Sequence, residues 1–283
     1  MAPSKPPSPR AGPYKEVRGL ARGLQVLKAL NRLPGGIGST TELARACDLD
    51  RTTTKRLLET LRAEGLVRQG ERDGQYYLTF EIRSLSEGFQ DEAWITRIGP
   101  MMQAAVRELH WPCDLATPEA GFMVVRESTH RWSALSQHRT MIGEKLPMLV
   151  TATGRAYLAA SSPAERNALI DLLRQREDQW GKLARDTEYI ERIVAETRRR
   201  GHAVNQGEWI RERDFGAIAV PVRHGRDLLG ALNLVFPKSA VQEEDIERRY
   251  LPALKRLAAA IGKASKTTPP AAGRSLKAAQ AGG

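Results

Sequence analysis

At 283 residues the chain has room for two domains, since compact units commonly run about 100–200 residues. Lys plus Arg exceed Asp plus Glu by 44 to 33, and the formal charge of +11 favours a polyanionic partner without choosing among DNA, RNA and anionic membrane. The longest apolar runs stop well short of the ~20 residues a membrane-spanning helix needs, and the Pro- and Ser-rich N-terminus lacks the apolar stretch of a secretory signal. A soluble cytoplasmic protein is expected.

Residues 1–13 are polar and Pro-rich, and residues 264–283 are Ala, Gly, Lys and Pro without apolar periodicity, so both ends are expected to be disordered. Between them, Val17, Leu20, Leu24, Leu27 and Leu30 fall at the spacing of one helix face. Pro34 followed by Gly35 and Gly36 ends that helix, because proline cannot continue the ladder and glycine admits positive φ. A second helix starts at Thr40 or Thr41 with Ser39 or Thr40 as its cap, and Leu43, Ala44 and Cys47 form its apolar face. Asp50 caps a third helix running to about Glu64, with Leu57, Leu58 and Leu61 inward.

After Gly65 the pattern changes to the short β-prone runs "LVRQ" and "QYYLTF", separated by "GERDG", whose Asp73-Gly74 pair is a hairpin signal. Three helices and a hairpin make a winged helix-turn-helix, placed at residues 14–83. Ser84 to about Leu109 reads as mostly helical with a kink or break at Gly99-Pro100. Its first part, residues 84–94, is taken as a linker helix, with the boundary near Asp91.

Residues 95–263 read as a second domain. Strands are expected at Leu115–Ala116, Phe122–Glu127, Trp132–Ser136, Ala217–Val222 and Leu228–Phe236, and helices at Gly154–Ala160, Pro163–Leu173, Thr187–Gly201 and Gln242–Ala264. The whole is α+β: a winged helix followed by an antiparallel-sheet domain. No internal repeat is visible.

The stretch from Ser39 to Tyr77 carries the chemistry. A helix-turn-helix needs a second helix projecting polar and basic groups into the major groove. In "DRTTTKRLLETLRAEG", Arg51, Thr52, Thr53, Thr54, Lys55 and Arg56 crowd the N-terminal half while leucines anchor the rest. Ser39, Thr40, the helix residues 51–56 and the wing residues Arg68 and Arg72 are the candidate contacts to double-stranded DNA.

Other chemistry is thin. Cys47, Cys113, His110, His130, His138, His202 and His224 show no metal-ligand spacing. A nucleophile elbow, a phosphate loop and a dinucleotide fingerprint are all missing, so neither a cofactor nor an enzyme is expected.

The segments "VRGLARGLQVLKALN", "TELARACDLDRTTTKRLLETLRAEGLV", "LPMLVTATGRAYLA" and "AIAVPVRHGRDLLGALNLVF" together resemble the IclR family of bacterial transcription regulators over roughly Val17 to Ile261. Within it, "YKEVRGLARGL", "LSEGFQDEAWI" and "HWPCDLAT" are most similar to regulators of 3-(3-hydroxyphenyl)propionate catabolism. The resemblance implies a homodimer or homotetramer, a palindromic operator and a C-terminal effector domain with a GAF-like fold. It also implies effector contacts from Gly143, Leu146, Met148, Thr151, Ala152 and Gly154 on one loop, Ile218 and Ala219 on a second wall, and Asn233 on the last strand. One departure is "GEWIRERDFGAIAVP": Glu212 holds an acidic place, but the glycine that many relatives carry there is missing.

An aromatic acid would need an apolar slot for its ring and donors for its carboxylate. Trp111, Phe122, Met123, Trp132, Met148 and Trp209 are ring-packing candidates; Arg131, His138, Arg139 and Arg155 are candidates for the acid end, with Arg139 and His138 preferred. The expected function is therefore effector-controlled regulation of an aromatic-acid operon, activation being favoured over repression. The alternative is a weakly specific architectural DNA binder whose large domain serves only oligomerisation.

Overall fold

The computed structural model describes residues 16–71, 73–85, 92–136 and 141–265. The chain forms two compact units, Met1–Phe89 and Gln90–Gly283, each described by itself.

The first unit opens with α1 (Arg18–Arg32), whose apolar spacing buries Val26 and Leu30. A turn at Pro34–Gly36 leads to β1 (Ile37–Gly38) and α2 (Thr40–Cys47). Ser39 caps α2 and shares a reciprocal capping box with Glu42, which satisfies two backbone donors that the helix itself leaves open. Asp48 adopts the left-handed conformation at φ 53°, a region tolerated by short polar side chains, and so turns the chain into α3 (Arg51–Ala63). Asp50 caps α3 by accepting from Thr53 N at 2.7 Å. β2 (Val67–Gln69) and β3 (Tyr76–Leu78) form the wing, with β3 central between β1 and β2. Val26, Leu30, Leu43, Leu58 and Tyr76 meet in one core. The short α4 (Glu81–Ser84) follows.

The second unit is a six-stranded antiparallel sheet in the order β6-β5-β4-β9-β8-β7. These strands are β4 (Asp114–Glu119), β5 (Phe122–Ser128), β6 (Lys145–Pro147), β7 (Ala203–Asn205), β8 (Phe215–His224) and β9 (Asp227–Pro237). Strand residues alternate between faces, and each face has its own core. On one, α5 (Glu92–Leu109) and α11 (Leu251–Ala264) cover Leu115, Ile218, Val220, Leu232 and Leu234. On the other, α6 (Ala152–Ala160), α7 (Pro163–Arg174), α8 (Gln179–Ala184) and α9 (Thr187–Arg200) cover Ala116, Met123, Val125, Ala219 and Ala231. The α+β class and the antiparallel sheet are as the sequence led us to expect.

One local expectation is corrected, and two are refined. Residues 132–136 are turns rather than a strand, because Trp132 N and Ser133 N both donate to the Thr129 carbonyl. Helix α5 is not broken at Gly99-Pro100: proline removes one backbone donor, but Ile98 and Met102 on either side are fully buried and hold the helix to its core. The C-terminal helical run contains a π turn at Ile246–Tyr250 between α10 (Glu243–Asp245) and α11, where Leu251 N reaches back to the Ile246 carbonyl. Pro252, one residue on, cannot donate in the α register, and the wider turn precedes it.

Candidate DNA-reading face and effector site

Helix α3 presents Arg51, Thr52 and Arg56 to solvent, with Thr53 half-buried. The Asp50 carboxylate seated on the first turn takes up the positive end of the helix, so the positive field here comes from the basic side chains. Thr54 is corrected: it is fully buried and its hydroxyl donates to the Asp50 carbonyl at 2.9 Å, so it belongs to the packing of the helix and not to its outer face. Thr54 stands four and seven residues before Leu58 and Leu61 and shares their buried face.

Lys55 is exposed but engaged. Its Nζ donates to the Tyr76 hydroxyl at 2.6 Å and pairs with Glu59 at 3.0 Å, while the Tyr76 hydroxyl donates to Glu59 Oε1 at 2.6 Å. The Tyr76 hydroxyl, then Lys55 and Arg62, hold the Glu59 carboxyl down to about 2. This network ties α3 to the central wing strand and was invisible in the sequence, where Glu59 and Tyr76 stand 17 residues apart. Ser39 is spent on its cap, while Thr40 is half-buried at the first turn of α2. Arg68 is exposed, with its guanidinium 4.2 Å from the centre of the Tyr77 ring. Arg72 lies outside the described residues.

In the second unit, β6 pairs with β5 so that Leu146 stands opposite Met123. Met123, Leu146, Met148, Ala152 and Ala219 are all buried in the same core, on the α6 face of the sheet. Gly143 sits at φ 80° and its N–H donates to the Val125 carbonyl, starting the return into β6. Thr151 caps α6: its hydroxyl donates to the Pro147 carbonyl at 2.8 Å and accepts from Gly154 N. A side chain at Gly154 would place its Cβ 2.0 Å from the Met148 carbonyl oxygen, so the loop passes over α6 at a distance only glycine permits.

Ile218 is the second correction. It packs against the α5 and α11 core, on the opposite face from its neighbour Ala219, as period-two alternation requires. Asn233 pairs in register with Ala219 and shares its face. His138 and Arg139 lie outside the described residues.

Arg155 turns out to be a structural strut. Its guanidinium donates to the Leu149 and Val204 carbonyls, the Glu208 carboxylate and the Tyr189 hydroxyl at 2.8–3.1 Å, which commits most of its donors to the fold. Burial opposes its charge, but Tyr189 and Glu208 outweigh that and raise its pKa. Arg131 lies 3.9 Å from the Trp132 ring centre at an exposed position. Among the ring-packing candidates, Met123 and Met148 belong to the α6-face core, with Trp209 packed against it. Trp111 lies in the other core and donates to the Tyr250 hydroxyl at 3.3 Å, while Arg176 covers the Phe122 ring.

The sequence reading missed Asp114. It begins β4, is buried, and engages Asn233 twice: its N–H donates to Asn233 Oδ1 at 2.6 Å, and Asn233 Nδ2 donates to its Oδ2 at 3.3 Å. An acid set between Cys113 and the apolar pair Leu115-Ala116 was the available signal.

A winged helix-turn-helix with a separate sheet domain whose inner face carries a loop-bounded core defines an effector-controlled transcription regulator. The comparisons give its family. The bacterial transcriptional regulator IclR C-terminal domain matches residues 92–263, and the IclR helix-turn-helix domain matches 19–71. The chain belongs to the IclR family of transcription regulators, whose members are regulators and not enzymes. Transcriptional repressor IclR of Escherichia coli is 25% identical over 248 residues, covering 86% of this chain and 88% of that protein. The regulator XynR of the same organism is 24% identical over 245 residues, covering 81% and 90%. Among solved structures, an IclR family regulator from Brucella abortus is 27% identical with a TM-score of 0.52, covering 88% of this chain and 93% of its own. An IclR homologue from Microbacterium hydrocarbonoxydans, complexed with 4-hydroxybenzoate, shares the fold at 21% identity and a TM-score of 0.58, covering 87% and 98%. No helix among the described residues is long and apolar enough to cross a membrane.

Proposed function

We propose that this regulator binds a small aromatic acid, of the hydroxyphenylpropionate type, on the α6 face of its sheet, and that binding changes how paired winged helices engage a palindromic operator upstream of a catabolic operon. The observation that carries this reading is the composition of that face: Met123, Leu146, Met148 and Ala219 form a buried apolar core beside the Thr151-capped start of α6 and Asn233. A core so lined suits a flat ring once space opens within it, and the structural relative bound to 4-hydroxybenzoate supports the ligand class. Arg51, Thr52, Arg56 and Arg68 read or grip the DNA, with Ser39, Thr40 and Lys55 positioning the two helices and the wing. The chain acts as a homodimer or homotetramer, and the effector turns transcription on.

Binding of the full-length protein to its own upstream DNA at fixed salt, with and without 3-(3-hydroxyphenyl)propionate and related acids, tests this. Specific binding altered by one acid is the expected result. Specific binding indifferent to every acid would remove the ligand class. Equal binding to scrambled DNA, with a steep salt dependence, would replace the whole reading with that of an architectural binder.

A further inference from the structure

Asp114 has one carboxylate oxygen accounted for and one not. Its Oδ2 accepts from Asn233 Nδ2 and lies 3.6 Å from His130 Nε2, whose ring is held from the other side by Ser136 Oγ at 2.6 Å from Nδ1. Its Oδ1 is buried and has no hydrogen-bond partner among the described residues. The residue as a whole is 1% exposed, and His130 and Asn233 beside it are 3% and 5% exposed.

The side of the sheet matters. Leu115, Leu232 and Leu234 belong to the α5 and α11 core, so alternation sends their neighbours Asp114 and Asn233 to the opposite face. That is the face where Ala219, opposite Asn233 in register, joins Met123, Leu146 and Met148. The unclaimed oxygen thus lies on the face proposed above to receive the effector.

A carboxylate oxygen removed from water without a donor is costly, and the donor it lacks is one that a guest molecule can bring. The same negative charge keeps a ligand carboxylate away, since two like charges at contact in a poorly solvated site repel strongly. A guest acid therefore enters with its acid group turned from Asp114. We infer that Asp114 is the specificity residue of the effector site, accepting a hydrogen bond at Oδ1 from a hydroxyl on the ligand ring, with Asn233 and His130 aiming the carboxylate. This inference rests on the effector reading of the α6 face.

Calorimetry on the full-length chain tests it with 3-phenylpropionate and its 2-, 3- and 4-hydroxy derivatives. The wild type is expected to bind one hydroxylated acid about 10- to 100-fold more tightly than 3-phenylpropionate, the range of a charge-assisted hydrogen bond. Asp114→Leu is expected to reduce that ratio to within about threefold, through weaker binding of the hydroxylated acid and tighter binding of 3-phenylpropionate. Asp114→Asn keeps the shape, offers a neutral acceptor, and is expected to fall between. Equal binding of all four acids by the wild type would overturn the inference and leave the aromatic-acid reading in place. Folded variants that keep the wild-type ratio would likewise reduce Asp114 to a packing role. If no acid binds at all, the effector reading fails and this inference fails with it. If Asp114→Leu does not fold, the wild-type ratio can still overturn the inference, and Asp114→Asn, which keeps the shape, carries the comparison.

Discussion

Arg155 shows what one side chain can disguise. In the sequence it sits beside the effector loop and carries the charge an acid ligand wants, but its partners come from Leu149, Tyr189, Val204 and Glu208, which no local pattern brings to it. Replacing it with Met leaves buried carbonyls without a donor, and we expect a loss of about 2–3 kcal/mol in denaturant unfolding. The Glu208 pair adds little to that, because the Glu208 side chain is 43% exposed. Effector affinity measured on the folded fraction should be unchanged; a large loss of affinity with full stability would make Arg155 a ligand contact after all. Glu59 gives a pH test. Its folded pKa is lowered from 4.5 to about 2, so its network stabilises the fold above the unfolded value and is lost as the pH falls from about 5 toward 2. Thermal unfolding across that window should therefore decline less steeply for Glu59→Gln than for the wild type, and parallel profiles would contradict the network. Thr54 and Asp114 were hidden for the same reason as Arg155: polarity in a sequence does not say which side of an element a residue occupies.

At the scale of elements the sequence was more informative. The caps at Ser39 and Asp50, the helices they start, and the hairpin at Asp73-Gly74 are local chemistry, and local chemistry is legible. Less legible were β1, β6 and β7, each two or three residues long, which owe their existence to a neighbouring strand and not to any alternation of their own. The start of α6 depends on a close approach that only the fold reveals. Gly154→Ala would drive a methyl into the Met148 carbonyl, and we expect destabilisation of at least about 3 kcal/mol together with loss of effector binding. Adjacent residues on β8 offer a sharper contrast, since Ile218 and Ala219 face different cores. Ile218→Val should cost about 0.5–1.5 kcal/mol and leave effector affinity alone, while Ala219→Val should reduce affinity by crowding the α6 face. Calorimetry on both variants checks this, and the reverse outcome would move the site to the other side of the sheet.

For the whole molecule, composition indicated a polyanionic partner, the order of elements made that partner DNA, and the family matches fix the class of regulator. Neither composition nor element order can contain the coupling proposed between ligand and operator, because coupling is a difference in free energy between states and not a property of one arrangement. It has a strict signature. If an acid changes operator affinity by some factor, the operator must change acid affinity by the same factor. The most direct test is to titrate 3-(3-hydroxyphenyl)propionate into the full-length protein alone and into its complex with upstream DNA. We predict affinities that differ by the factor the acid produces in DNA binding. The same acid affinity in both titrations would show that ligand and operator are not linked, and would contradict the account at its centre.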